Sequence, residues 1–253
     1  MEGYERRIDL ESIYNPDTFS TTRDPECGPL FNRTRKPFQR LASDFNAKID
    51  KGTLALDELY RNIMINKIEN TCRKILMMSK AGKRAIDCER EIMIGQDREF
   101  PALMWDDEIE LLYHIEAMIL FGRSALDVAA FVFSVFLIER RTDSFHKLCK
   151  LLKKASDPNL LNLQKRIITA ESVKTSWLNI LRSHEKGRSV RDKIAHQTTI
   201  RIEYERIRPD WEDLFCHVAV EGQRIFLEKF VDEVNNGVID FCILAEDLIC
   251  PIL

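Results

Sequence analysis

None of the chain's seven cysteines (Cys27, Cys72, Cys88, Cys149, Cys216, Cys242, Cys250) falls in a C-x-x-C pair. Their neighbours are apolar, so the expected state is a buried, reduced thiol in a cytoplasmic setting rather than a disulfide framework or a zinc site. An excess of either charge is also missing. With 38 Lys and Arg against 41 Asp and Glu, the net charge is −3, and no global field draws the chain to nucleic acid; attraction must come from local patches. The longest uncharged stretch, Val128 to Ile138, is too short to span a bilayer, and the start, Met1-Glu-Gly-Tyr-Glu-Arg-Arg, lacks the apolar core of a signal peptide. No membrane partner is expected. There is no H-E-x-x-H, no paired Cys/His ligand set, no G-x-x-x-x-G-K-[ST] loop and no G-x-S-x-G elbow. The signatures of metalloproteases, P-loop enzymes and serine hydrolases are therefore absent, and neither a metal nor a cofactor is expected.

What is present is a chain of 253 residues, 45% hydrophobic and 31% charged, long enough to bury a sizeable core. Residues 1–40 hold four of the eight prolines and little periodicity, which predicts an irregular N-terminal extension. Its end concentrates Arg33, Arg35, Lys36 and Arg40 around Phe31 and Phe38. That composition suits a linker tucking its aromatics onto the body better than an arm reaching RNA.

Residues 41–104 read as an N-terminal helical region, with Leu59, Ile63, Cys72 and Leu76 among apolar positions spaced by three and four and Gly82 as the stop. The strongest helical signal, 105–140, begins with acids and is apolar nearly all round its middle, which marks the central helix of a bundle. Within it, Asp127 needs a partner, and Arg123 is four residues back on the same face. Phe145 to Lys154 is a short amphipathic helix with Lys147, Lys150, Lys153 and Lys154 on its wet side, and Asn159 to Lys193 reads as one further helix interrupted near Ser183 to Gly187. The period then falls to two over Thr198 to Arg206, a hairpin follows around Gly222, and an apolar helix from Phe230 to Leu248 closes the chain. The fold class expected is mainly α: a helical bundle over 105–253 with a small antiparallel β appendage before the C-terminal helix.

The cluster with the most chemistry is Arg188-Ser-Val-Arg191-Asp192-Lys193-Ile-Ala-His196, which joins permanent cations to a group that titrates near neutrality. On a helix, Arg188, Asp192 and His196 succeed one another by single turns on one face, whereas Arg191 lies about 140° around the axis from His196. Either the Arg191 side chain curls back, or a second copy across a dimer interface completes the site. Such a pair suits metal-free RNA cleavage. His196 moves the proton of a ribose 2′-hydroxyl or of the leaving 5′-oxygen, Arg191 holds the phosphate, and Asp192 orients the imidazole, leaving a 2′,3′-cyclic phosphate. Arg188 and Lys193 are the candidate RNA-binding cations beside it. The plain structural alternative is an ion-paired helix end.

Arg191-Asp-Lys-Ile-Ala-His196 resembles the Arg-x(4 to 6)-His motif of the HEPN superfamily, in its prokaryotic branch. The Arg123-Ser-Ala-Leu-Asp127 helix, the Ser144-Phe-His-Lys-Leu148 segment and the strand, hairpin and helix after the motif extend the resemblance over roughly 105–250. Many members carry Asn where Asp192 stands. The resemblance implies a helical bundle that forms a homodimer around the motif, with endoribonuclease activity in toxin, phage-defence or RNA-processing systems and an antitoxin or defence protein as partner. It implies catalytic roles for Arg191 and His196 and a supporting role for Asp192. The alternative is a non-catalytic module of the same fold for dimerisation, nucleotide or RNA binding, or partner docking.

Overall fold

A computed structural model describes residues 6–14, 33–94, 105–182, 200–206, 214–220 and 222–253. Among these, eight α-helices and a three-stranded sheet alternate as α1 (Glu11–Tyr14), α2 (Gln39–Asp50), α3 (Glu58–Ile94), α4 (Trp105–Ile138), α5 (Phe145–Lys154), α6 (Leu161–Ser172), α7 (Trp177–Leu181), β1 (Arg201–Arg206), β2 (Leu214–Val220), β3 (Gln223–Phe226) and α8 (Leu227–Ile249). The chain is mainly α, a helical bundle with a small antiparallel sheet before its last helix. The long α3 and α4 pack along one another, and α4 also meets α5, α7 and α8, which is why its middle is apolar on every side. Over Glu108–Ile138, α4 is long and apolar enough to cross a membrane by length and composition, yet 56% of its most apolar window is buried inside the protein.

Three helix boundaries differ from those expected, each for a visible reason. The first helical stretch is two helices: α2 ends at Asp50, two residues before Gly52, whose φ of 63° is a conformation that favours glycine, and Asp57 accepts the Tyr60 N–H at 2.8 Å to start α3. Gly82 does not end α3. A Cβ there would stand 2.8 Å from Val231 Cγ1 and 2.9 Å from Met118 Sδ, so this glycine lets α8 and α4 approach mid-helix. The stretch after Pro158 is also split. Ser176 accepts the Asn179 N–H to begin α7, while Asn179 Nδ2 donates to the Glu171 and Val173 carbonyls that α6 leaves free.

The elements converge on an aromatic cluster. Phe38 stacks on Phe133 at 5.7 Å, Phe133 meets Phe241 at 6.0 Å, and Phe241 also contacts Phe145 at 5.3 Å and Trp177 at 5.6 Å. Five elements, from the start of α2 to α8, thus share one core. The N-terminal residues join it: Ile8, Leu10, Ile13 and Tyr14 are buried, and the Tyr14 hydroxyl donates to the Pro37 carbonyl at 2.8 Å. Their basic neighbours face acids of α8. Arg33 pairs with Asp240, and Arg35 pairs with the buried Glu246 and with Asp247. Those cations are occupied within the fold.

The sheet runs β1–β2–β3, with Ile202 opposite Val218 and His217 opposite Phe226. Gly222, at φ 78°, turns the second hairpin. Two carboxylates fasten the sheet to the long helices: Glu89 of α3 accepts the Cys216 N–H at 2.9 Å, and Glu116 of α4 accepts the Ile200 N–H at 3.1 Å. Burial pushes the Glu89 carboxyl up, and the Cys216 N–H only partly offsets it.

Candidate nucleic-acid interface

Arg188, Arg191, Asp192, Lys193 and His196 lie outside the described residues. What the structure places is the pair of ends from which their segment departs and to which it returns. At the first, the Arg123 guanidinium donates to the Leu181 carbonyl at 3.3 Å, and the next residue, Arg182, is buried and paired with Glu171. At the second, Ile200 is buried and its N–H is held by Glu116. Both anchors belong to α4. Positions 116 and 123 are two turns apart, on the same face and about 10 Å along the axis.

Arg123 has a second duty. Its Nε donates to Asp127 Oδ2 at 2.8 Å, the pairing that the four-residue spacing predicts, and Asp127 Oδ1 accepts the Phe145 N–H at 2.8 Å. One turn of α4 therefore holds the first residue of α5 and the last of α7.

The start of α5 is one wall of a recess of about 700 Å³ lined by Arg140, Arg141, Lys147, Lys150 and Lys154, with Asp143 as its single acid. The wall forms because α5 is amphipathic. Phe145, Leu148, Cys149 and Leu152 are buried, which leaves positions 147, 150 and 154 together on the wet side. The opposite wall follows from a tight reversal at the end of α4. Glu139 takes a left-handed φ of 56° without the usual glycine, and the Arg140 N–H bonds back to the Ser134 carbonyl at 3.2 Å, closing a seven-residue turn over the end of the helix. Asp143 is occupied by Lys67 at 2.8 Å, and the Arg141 guanidinium lies 4.3 Å from the centre of the Tyr60 ring. On a chain of net charge −3, five cations around one hollow make a strong local positive field. Lys153 is not among them, since it points to Glu171 at 2.9 Å.

Glu171 thus receives both Lys153 and Arg182. Burial raises its carboxyl, but hydrogen bonds and charge from these two cations outweigh burial and hold it below its ordinary range. A carboxylate depressed in the folded state contributes stability above its unfolded value and loses it as pH falls through the folded value. Stability is expected to drop below about pH 4.5, and Glu171→Gln should flatten that slope in urea melts across the acid range while lowering stability near neutrality. An unchanged slope would show that the pair holds no differential charge energy.

Among the described residues, Cys88 of α3 lies with Glu110 and His114 of α4, their donor atoms all within 4.8 Å of one another. Sequence reading missed this trio, because Glu110 and His114 are visible as a four-residue spacing but Cys88 arrives from a different helix. Comparison with protein-family models, with curated proteins and with solved structures returns no match to this chain.

Proposed function

We propose that the protein is a metal-independent endoribonuclease of HEPN type, working as a homodimer, in which the basic recess holds RNA and Arg191 and His196 cleave it. The observation that carries this reading is the Arg123–Asp127 bracket. It joins the wall of the phosphate-attracting recess to the residue from which the Arg/His segment departs, so RNA held against α5 lies beside the start of that segment. Lys147, Lys150 and Lys154 neutralise successive phosphates. Arg191 then stabilises charge on the phosphorane, and His196 moves the proton, with Asp192 orienting its ring and Arg188 and Lys193 adding phosphate contacts.

Labelled single-stranded RNA incubated with the purified protein in EDTA should yield fragments ending in a 2′,3′-cyclic phosphate. Arg191→Ala or His196→Ala should abolish cleavage while circular dichroism stays unchanged, and His196→Ala should retain RNA affinity. Lys147→Glu with Lys154→Glu should instead weaken binding about a hundredfold and flatten its salt dependence, because each lost phosphate contact removes about 0.7 from the log–log slope on single strands. Cleavage that survives both single substitutions would remove the catalytic pair. Binding without cleavage by the wild type would leave the recess as an RNA-docking surface on a non-catalytic module.

A further inference from the structure

We propose that Cys88, Glu110 and His114 form a zinc(II) site that joins α3 to α4, with water in the fourth position. Glu110 and His114 stand one turn apart on α4 and project towards Cys88 on the facing turn of α3, bringing one sulfur, one nitrogen and one oxygen donor together within 4.8 Å. Donors around tetrahedral zinc are about 3.5 Å apart, so side-chain adjustments of roughly 1 Å close the shell without moving either helix. The mixture of thiolate, imidazole and carboxylate suits zinc and disfavours the hard cations that prefer oxygen alone.

The surroundings agree with an ion at this point. Cys88 is buried and His114 is largely so, while Glu110 is half-exposed, which leaves an entry side for metal and water. Desolvation, then the nearby Arg84, lower the imidazole. Burial pushes the thiol up to about 12, a cost that the bond to zinc has to overcome. On binding, the Cys88 S–H bond breaks, its proton leaves to solvent and the sulfur pair forms the bond to zinc.

Without metal, Glu110 Oε1 is contacted by Arg84 at 3.4 Å and by His114 at 3.6 Å. Arg84 is thus an internal cation competing for the same carboxylate, and it also reaches Glu91 at 3.8 Å. Zinc releases it to Glu91. Glu89 and Glu116, the carboxylates that hold the sheet, each lie within two residues of a ligand. An ion tying α3 to α4 therefore fixes the spacing of the two posts on which the sheet rests. This inference stands independently of the proposed RNA chemistry.

The test uses the full chain, stripped with EDTA, dialysed and titrated with cobalt(II) and zinc(II). One equivalent of cobalt should produce a thiolate-to-metal charge-transfer band and tetrahedral d–d absorption. Zinc should displace the cobalt and raise Tm by several degrees, because it binds only the folded chain. Cys88→Ser should remove the charge-transfer band. Glu110→Gln and His114→Asn, both less buried and safer for folding, should each weaken binding at least tenfold with helicity intact. Arg84→Gln should tighten it severalfold by removing the competitor. Cobalt binding without a thiolate band, retained affinity in both Glu110→Gln and His114→Asn, or no binding by the wild type would overturn the site.

Discussion

Gly237→Ala is expected to destabilise the protein by about 3 kcal/mol, at the upper end of overpacking costs. At this chain length that is a fall of roughly 6–12 °C in Tm. The new Cβ would stand 2.0 Å from Cγ, 2.2 Å from Cδ1 and 2.5 Å from Cβ of Trp177. Trp177 cannot retreat. It is 2% exposed, its ring is wedged against Phe145 and Phe241, and its backbone N–H donates to Glu233 Oε1 at 3.0 Å. Because the atoms in conflict are the root of an indole and not its tip, a rotamer change does not relieve them and α7 must slide along α8. A double-mutant cycle isolates the cause. Trp177→Ala alone should cost about 3–5 kcal/mol as a buried aromatic truncation, but adding Gly237→Ala to it should cost little more. Equal costs of Gly237→Ala in both backgrounds would mean that the glycine serves backbone freedom and not the indole.

That close contact shows where sequence reading stops. The elements themselves were legible: acids early in α3, an all-round apolar α4, an amphipathic α5, alternation over Arg201–Arg206 and a turn at Gly222 each follow from local rules. So was the Arg123–Asp127 pair, since a carboxylate in an apolar stretch with Arg four residues back has few other partners. Glycine inside a helix was not. Gly82 looks like a stop in one dimension and Gly237 carries no signal at all, yet they are the points where other helices and an indole approach. The split between α6 and α7 was hidden for a related reason, since the Ser176 and Asn179 side chains that make it depend on which carbonyls are left free. At the recess, the lysines of α5 were visible as a stripe, whereas Arg140 and Arg141 join them only because the Glu139 turn folds the chain back.

Asp127→Ala carries the second large effect, about 3 kcal/mol, and its parts can be separated. The substitution removes the acceptor for the Phe145 N–H, a cap worth about 1 kcal/mol. It also strands the Arg123 guanidinium, whose side chain is 10% exposed, beside a single carbonyl; leaving one partner of a nearly buried ion pair uncompensated accounts for the remainder. Asp127→Asn keeps one acceptor oxygen, enough for the Phe145 N–H or the Arg123 Nε–H but not for both, because the two donors use different oxygens, and it should cost less than Asp127→Ala. The decisive variant is the double Arg123→Met, Asp127→Ala, which loses the cap but strands no charge, and it should be more stable than Asp127→Ala alone. Urea unfolding of the four proteins tests that order, and a double mutant less stable than the single would show the guanidinium to be solvated and the pair to act through geometry alone. Because Arg123 also holds the Leu181 carbonyl, the double mutant should refold as a bundle yet lose alignment between α5 and the end of α7. On the proposed reading, in which the lysines of α5 hold the RNA, affinity should then survive where cleavage falls, and a joint loss of both would place the bracket's role in building the recess and not in aligning it with the Arg/His segment.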